Sequence, residues 1–317
     1  MCDGGEPMIS VAIPTKNRPD DLERAVRSIL SQTRLPEQLI VVDQSRGNES
    51  STRIHACLAG SSIRLEYIHN PSITGASAAR NRALDILDAG IVLFLDDDVI
   101  LERDFIEQIL AVYQAMPDAA GVSGIVTNYS APPRPFRWWS RVFMRGPFRD
   151  DRQPVYWRAA ELRNSRPLRV TRMGAGLMSF RLDAIRGVRF DENLTGACEG
   201  EDVDFCWHLG PDAPLWIAPA ARLDHHHSPR GRKPIHWLFL HVRTMWYLHL
   251  RNPRRDWHAR ICFAWLGLGH LLAAVMISAR RGSLHVWRDV ADAVSQGRAL
   301  AGYRPPAPPR PGVTWPA

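Results

Sequence analysis

The sequence predicts an α/β fold in which a mostly parallel sheet is flanked by helices and followed by a helical C-terminal extension. Short apolar segments alternate with amphipathic ones through residue 127, which is typical of parallel strands joined by helical crossovers. Polar clusters follow three of these segments, at the sheet edge where ligands bind in such folds. Beyond residue 234 the alternation gives way to segments rich in aromatic residues and histidine.

The elements of the first half follow from this alternation in order. The predicted strands are residues 9–14, 38–43, 64–68, 91–95 and a segment near 121–127. The predicted helices are one capped by Asp20 or Asp21, one at 75–88 and one at 102–115. Apolar side chains recur at helical spacing from Leu22 to Leu30, which supports the first helix. Residues 130–170 show little periodicity, so we expect a long loop there.

Composition excludes several classes of protein. Of 317 residues, 45% are hydrophobic and 23% are charged, which excludes a disordered, a collagen-like and a polytopic membrane protein. A net charge of +7 favours anionic partners, so nucleic acid, acidic lipid and phosphorylated small molecules stay open. Lysine occurs only at Lys16 and Lys233, so nearly all of the 40 basic residues are arginines.

Cysteine usage indicates the compartment. The five cysteines are odd in number, irregularly spaced and without a C-x-x-C motif. We therefore expect neither a disulfide framework nor a structural zinc site, and a reducing compartment is favoured. The N-terminus shows no signal-peptide pattern. These features predict a cytoplasmic protein.

Three consecutive carboxylates follow the strand at 91–95. Asp96, Asp97 and Asp98 repel one another when ionised, and a divalent cation relieves that repulsion. Oxygen ligands on a short loop suit Mg²⁺ or Mn²⁺, which also bind phosphate groups. A solvated acidic turn or a helix cap is the alternative. The preceding apolar strand and a second strand that ends in Asp43 favour the metal site.

A series of motifs carries a family resemblance. They are Ser-Val-Ala-Ile-Pro-Thr-Lys-Asn-Arg at 10–18, Val-Val-Asp-Gln-Ser at 41–45, Gly-Ala-Ser-Ala-Ala-Arg-Asn at 75–81, Phe-Leu-Asp-Asp-Asp at 94–98, Gly-Ala-Gly-Leu-Met-Ser-Phe-Arg at 174–181 and Glu-Asp-Val-Asp at 201–204. In this order they resemble glycosyltransferase family 2 over roughly residues 8–230. The resemblance implies a Rossmann-like GT-A fold, a nucleoside diphosphate sugar donor, a divalent cation and inverting transfer to a hydroxyl acceptor.

The resemblance also implies roles for the matching positions. The donor-binding positions would be Pro14, Thr15, Arg18, Asp43, Ser45, Arg80, Asp96 and Asp97. Asp96 and Asp98 would bind the metal with one histidine of the run 225–227, of which we favour His225. Asp202 would be the general base, and Gly176 and Glu201 would lie on the acceptor side. An exposed first helical turn, where acids suit the helix dipole, is the alternative for Asp202.

Two other functions stay open. A nucleotidyltransferase uses a similar sheet and acidic metal site, but it requires a Gly-bearing phosphate loop after the first strand, and residues 15–19 contain no Gly. A non-catalytic nucleotide- or glycan-binding protein would keep the fold, and the intact Asp98 and Asp202 argue against it. Nucleic acid is the least favoured partner, because no recognised nucleic-acid module occurs.

Two further segments indicate what the acceptor is and whether the protein contacts a membrane. Trp and Arg residues between 134 and 158 suit a sugar attached to a lipid pyrophosphate, or form an ordinary loop. The 18 residues 261–278 carry no formal charge and lie between Arg260 and Arg280. An interfacial or re-entrant helix is favoured over a membrane span, and a buried core or dimer helix is the alternative. We expect a surface-glycan or lipid-linked acceptor at the inner face of the cell membrane.

These observations predict three regions. Residues 1–230 form the GT-A domain, residues 231–303 form a helical region with peripheral membrane contact, and residues 304–317 form a Pro-rich disordered tail.

Overall fold

The structure is a computed structural model that describes residues 8–87, 90–128, 133–145, 162, 166–194, 200–210, 212–226, 237–252 and 256–302. The strands are β1 (Ile9–Thr15), β2 (Gln38–Asp43), β3 (Arg64–His69), β4 (Ile91–Leu95), β5 (Val99–Leu101), β6 (Gly121–Val126), β7 (Leu168–Val170), β8 (Leu177–Arg181) and β9 (Leu215–His225). The helices are α1 (Pro19–Leu30), α2 (Glu49–Leu58), α3 (Ala76–Leu84), α4 (Phe105–Ala115), α5 (Arg134–Ser140), α6 (Glu201–His208), α7 (Trp237–Arg251), α8 (Trp257–Arg281) and α9 (His285–Gly302). One π-helical turn, Arg141–Arg145, continues α5.

The nine described strands form one sheet in the order β3-β2-β1-β4-β8-β6-β9-β5, with β7 paired to β9. The first four strands are mutually parallel, because helices return the chain to the same end after each strand. Strand β8 enters antiparallel between β4 and β6, and β5 and β7 are antiparallel to β9. The predicted α/β class is confirmed, with a sheet that is parallel in its first half and mixed beyond it.

Helices cover both faces of the sheet. Strands β1, β2 and β4 are buried along their whole length, which fits continuous apolar runs between two helical layers. Helices α1, α2 and α4 pack in the apolar cluster on one face, and α3 and α6 pack in the cluster on the other. The residues that follow β1, β2 and β4 therefore lie at one edge of the sheet, which we call the carboxyl edge.

The start of α1 differs from the prediction. Helix α1 begins at Pro19, and Asp20 and Asp21 lie inside its first turn instead of capping it. Proline takes the first helical position readily because its φ is already helical and its missing N–H needs no partner there. The predicted aspartate cap is therefore wrong, although the helix and its apolar face are present.

Part of the expected loop at 130–170 is helical. Trp139 and Phe143, four residues apart on α5 and the π turn, pack in one apolar cluster with Met245 and Leu266. The Trp139 indole donates a hydrogen bond to the Gly269 carbonyl at 2.9 Å. Trp139 is therefore a core residue and not a platform for a sugar. Arg149 and Trp157, also considered for the acceptor, lie outside the described residues.

The C-terminal helices form a three-helix layer. Leu238 and Val242 of α7 pack with Ala274 of α8 and Val286 of α9. Helix α7 also packs against α6 through Tyr247, Leu248 and Val203. The described part of the predicted region 231–303 is thus helical, while its boundaries stay a prediction. The predicted tail at 304–317 lies outside the described residues.

Candidate active site

Asp96, Asp98 and His225 come together at the carboxyl edge. Asp98 follows β4, and β5 pairs with β9 so that Val99 lies opposite His225. This pairing places His225 Nε2 at 2.9 Å from Asp98 Oδ1 and at 3.8 Å from Asp96 Oδ2. One ligand atom from each residue lies within 4.8 Å of the others. His226 is exposed and meets Asp98 only through its backbone, and His227 lies outside the described residues.

This set fits a divalent cation. Two carboxylates and one imidazole combine ligands that Mn²⁺ and related ions accept. Asp98 is buried, and it has a positive neighbour in Arg18, whose Nη1 lies at 3.5 Å from Asp98 Oδ2. Burying a carboxylate is costly unless positive charge accompanies it, so the site is built to hold negative charge beside a cation.

Asp97 has a different environment from its two neighbours. Its carboxylate accepts hydrogen bonds from Thr15 Oγ1 at 2.8 Å and from Arg18 Nη1 at 3.0 Å. Burial raises the pKa of Asp97 to about 6, and the positive charge of Arg18 opposes that rise. Asp97 therefore ties the end of β1 to the end of β4, and its predicted contact with the donor stays a prediction.

Arg80 links two acidic parts of the site from inside the protein. Its side chain is 2% exposed, and it contacts Asp96 Oδ1 at 2.9 Å and Glu201 Oε1 at 3.2 Å. Burial and the neighbouring Asp202 raise the pKa of Glu201, and Arg80 opposes that rise. Arg80 thus holds Asp96 and the start of α6 together. Of the three side chains in this contact, Asp96 is the most exposed to solvent.

Substitution of Arg80 should reveal this role as a loss of stability. We expect Arg80→Met to lower the free energy of unfolding by about 3–5 kcal/mol, because two carboxylates lose their buried partner. The matched control is Arg82→Met on the same helix, whose exposed side chain makes only a 3.7 Å surface pair with Asp85 and should have little effect. Urea unfolding of both variants measures the difference, and equal losses would contradict the assignment.

Gly176 allows the backbone to approach Asp96. It has φ of 83°, and a Cβ at this position would lie 2.4 Å from Asp96 Oδ2. The backbone N–H of Asp96 also donates to the Gly176 carbonyl at 3.4 Å. No larger residue fits here without displacing the Asp96 carboxylate, which explains why the sequence has Gly at this point.

Gly176→Ala should therefore displace the Asp96 carboxylate, in addition to straining the backbone at residue 176. Gly187 has a similar φ of 80° but has no atom within 4 Å of its added Cβ, so Gly187→Ala is the matched control. Both variants pay about 1–2 kcal/mol for a left-handed Ala. Only Gly176→Ala should also weaken Mn²⁺ binding, by about tenfold or more, in a calorimetric titration. Equal Mn²⁺ affinities in the two variants would contradict this account.

Asp202 lies at the start of α6 beside residues 174–176, Gly-Ala-Gly, which we call the glycine loop. Its Oδ2 accepts a hydrogen bond from the Ala175 N–H at 3.1 Å, and its Oδ1 accepts one from the Val203 N–H at 2.8 Å. Asp202 is half-buried, whereas Glu201 and Asp204 are buried. The acidic run is therefore not simply an exposed first turn. Because residues 175 and 176 contact Asp202 and Asp96 respectively, the loop joins the two carboxylates.

The ends of β1, β2 and β3 are joined by Asp43 and Ser45. Asp43 is fully buried, and its carboxylate accepts from the Ser45 N–H at 2.8 Å and from the Tyr67 hydroxyl at 2.7 Å. Ser45 Oγ accepts from the Asn17 N–H at 2.7 Å. Pro14 lies within β1, opposite Val42. These contacts are structural, and the predicted roles of Pro14, Asp43 and Ser45 in donor binding stay predictions.

A network behind α6 was not predicted from the sequence. The Tyr247 hydroxyl donates to Asp191 Oδ2 at 2.9 Å, and Arg251 Nε contacts Asp204 Oδ1 at 3.3 Å. Tyr247 and Arg251 are four residues apart on α7 and therefore share one face. That spacing, together with the last acid of Glu-Asp-Val-Asp, Asp204, is the available sequence signal. The network ties the C-terminal helices to the helix that carries Asp202.

Solved structures share this architecture. TarS from S. aureus, in a complex with UDP-GlcNAc, superposes with a TM-score of 0.63 at 13% identity over 93% of this chain and 81% of that chain. The mannosyltransferase PcManGT from Pyrobaculum calidifontis, in a complex with GDP-Man and Mn²⁺, has a TM-score of 0.58 at 19% identity over 95% and 82%. At these identities the likeness is one of fold. The sheet and its acidic edge thus define a GT-A protein.

Sequence comparison then supplies the family. Residues 10–177, more than half of the chain, match the family described as Glycosyl transferase family 2. The chain belongs to glycosyltransferase family 2, and the predicted resemblance is confirmed. It is also 27% identical over 227 residues to a pre-mycofactocin glycosyltransferase of Mycobacterium tuberculosis, which covers 71% of this chain and 44% of that protein. The chain therefore spans less than half the length of this relative.

Proposed function

We propose that the chain transfers a sugar from a nucleoside diphosphate sugar to a hydroxyl acceptor, with inversion at the anomeric carbon. The observation that carries the proposal is the set Asp96, Asp98 and His225 beside Asp202, joined through the glycine loop. Family membership supports it, as do two GT-A neighbours that were solved with UDP-GlcNAc and with GDP-Man. A direct attack by the acceptor accounts for the inversion.

The donor end of the site would handle negative charge. Asp96, Asp98 and His225 would hold a divalent cation, Mn²⁺ or Mg²⁺, which when bound neutralises the departing diphosphate. Arg80 fixes the orientation of Asp96 from behind. Arg18, whose side chain is 17% exposed, holds Asp97 and adds positive charge beside Asp98. Groups held in place before the reaction stabilise developing charge at little reorganisation cost.

The acceptor end would handle the proton. Asp202 would accept it from the acceptor hydroxyl, which is a poor nucleophile until deprotonated. Its two backbone hydrogen bonds orient the carboxylate and leave one lone pair on each oxygen for the acceptor. A positioned general base contributes about 10²–10⁴ in rate. Glu201 is buried against Arg80 and would support the acceptor side by positioning α6.

The acceptor and the location form part of the same proposal. We propose a surface glycan or a lipid-linked sugar as acceptor, at the inner face of the cell membrane. The basic charge of +7 suits a pyrophosphate-bearing substrate and an anionic surface. A nucleotidyltransferase is disfavoured because the loop between β1 and α1, residues 16–18, contains no Gly to cradle a triphosphate.

A screen of nucleotide sugars tests the proposal directly. UDP-, GDP- and dTDP-sugars are added with Mn²⁺, with Mg²⁺ or with EDTA, and the thermal midpoint and release of nucleoside diphosphate are measured. A donor at about 100 times its Kd adds about 2.7 kcal/mol of stability, so the true donor should raise the midpoint clearly. Binding without release or transfer in the presence of glycan acceptors would favour a non-catalytic binder. Release of pyrophosphate from nucleoside triphosphates would favour a nucleotidyltransferase.

A further inference from the structure

Helix α8 presents an apolar stripe to solvent. Six of its outward side chains recur at helical spacing and are between 36% and 54% exposed. They are Ile261, Leu268, Leu271, Leu272, Val275 and Met276, which we call the α8 stripe. The stripe extends over roughly 22 Å at 1.5 Å of rise per residue. A continuous exposed patch of this kind marks a surface that contacts a partner or a membrane.

The opposite face of α8 is fixed to the protein. Cys262, Leu266 and Ala274 are buried on that face. The Trp265 indole donates to the Val142 carbonyl at 2.7 Å, and the Gly269 carbonyl accepts from Trp139. Among the described helices, α8 is the one long and apolar enough to cross a membrane. A third of its most apolar segment is nevertheless buried against the rest of the protein. This one-sided packing suits a helix that lies in an interface more than one that spans a bilayer.

Positive charge brackets the stripe. Arg260 precedes it and Arg280 and Arg281 follow it, and the helix contains no Asp, Glu or Lys. Trp257, at the start of the helix, is 72% exposed, which is typical of aromatic residues at the boundary between lipid and water. Next to Arg280 and Arg281, an apolar groove of about 390 Å³ lies between α8 and α9, lined by Val275, Leu284 and Trp287 among others.

These charges favour one of two possible partners of the stripe, a second copy of the chain or a phospholipid surface. In a parallel pair a second copy of the chain would bring arginines against arginines at both ends of α8. In an antiparallel pair Arg280 and Arg281 would meet Arg260, whose end of the helix also carries the N-cap residue Asp256. A phospholipid surface offers acyl chains to the stripe and phosphate groups to the arginines at either end. We propose that the α8 stripe docks this protein on an anionic phospholipid surface, with α8 lying in the plane of the membrane interface. This proposal deepens the membrane location that is part of the proposed function, and it does not depend on sugar transfer.

Vesicle binding by the full chain tests the proposal. Sedimentation is measured with vesicles of phosphatidylcholine alone and of equal parts phosphatidylcholine and phosphatidylglycerol. Val275→Glu places an acid in the stripe, and Met8→Glu is the matched control, since Met8 is 51% and Val275 is 52% exposed. We expect the wild-type chain and Met8→Glu to bind anionic vesicles, and Val275→Glu to bind at least tenfold more weakly. Arg280→Gln with Arg281→Gln should lose roughly fivefold for each arginine.

Each other result would overturn the proposal. Equal binding of Val275→Glu and Met8→Glu would remove the stripe from the contact. Equal binding to neutral and anionic vesicles would remove the role of the arginines. A wild-type dimer that Val275→Glu converts to a monomer, without a change in vesicle binding, would assign the stripe to self-association. Leu272→Glu repeats the comparison if Val275→Glu does not fold, and donor binding by each variant reports separately on the proposed transferase site.

Discussion

Asp98→Asn should abolish cation-dependent donor binding and reduce sugar transfer by a factor on the order of 10³ or more, because a catalytic metal contributes several kcal/mol of transition-state stabilisation. The substitution keeps the volume of the side chain but removes the charge that faces His225 at 2.9 Å and Arg18 at 3.5 Å. Calorimetric titration of the donor with and without Mn²⁺ measures the first effect, and initial rates measure the second.

The control for Asp98→Asn lies on the neighbouring strand. Asp224 precedes His225 in β9, so its side chain points to the opposite face, where it accepts a hydrogen bond from Thr127 Oγ1. Asp224→Asn therefore makes the same chemical change next to the site without removing a proposed ligand. It should retain the Mn²⁺ dependence of the wild-type chain. If Asp98→Asn kept the same Mn²⁺ dependence as Asp224→Asn, the proposed metal site would be wrong.

Most of the first half of the fold follows from local pattern, because these strands and helices are signalled by their own residues, although α2 and the short strand β5 were not predicted. The strands around 9–14, 38–43 and 91–95 lie within one or two residues of their predicted bounds. The motif that ends in Asp96-Asp97-Asp98 lies at the carboxyl edge, because a parallel arrangement brings the ends of β1, β2 and β4 together. The spacing of apolar side chains shows which faces of an element are buried. In this fold each strand is covered by helices and each helix packs one face on the sheet, so the spacing identifies both.

What local pattern did not predict depends on partners far away in the chain. Arg80 meets Glu201 across 121 positions, and Arg251 meets Asp204 across 47. Neither pair is predicted by periodicity alone, because Arg80 and Arg251 meet their acidic partners only through the tertiary packing of distant elements. The antiparallel entry of β8 is likewise set by pairing with β4 and β6, and its short apolar sequence is compatible with either direction.

The choice of His225 shows how the two kinds of information combine. Three consecutive histidines are equivalent in sequence, and the resemblance alone favoured the first. The pairing of Val99 with His225 turns that imidazole towards Asp98, whereas His226 contacts Asp98 only through its backbone N–H. In a strand successive side chains point to opposite faces, so only one of two adjacent histidines can face the carboxylates. Its role as a ligand stays a prediction that Mn²⁺ titration of His225→Ala can address.

Asp202→Asn should reduce kcat by about 10²–10⁴ while the affinity for the donor stays close to that of the wild-type chain. The amide has almost the same shape as the carboxylate but does not take up a proton from the acceptor. It keeps one acceptor oxygen for the Ala175 or the Val203 N–H and loses the other, which costs about 1 kcal/mol of stability. Single-turnover rates with saturating donor isolate the chemical step from donor binding.

Asp204→Asn, two residues further along the same helix, should give the opposite profile. Its carboxylate is buried and paired with Arg251 at 3.3 Å, so the substitution leaves that arginine without a full partner and lowers the thermal midpoint. The folded protein should still transfer the sugar, because the Asp204 side chain faces α7, where it contacts Arg251. A large loss of kcat in Asp204→Asn with normal rates in Asp202→Asn would transfer the role of base away from Asp202. Loss of stability alone in both variants would leave α6 as a structural support, since a general base must affect the chemical step.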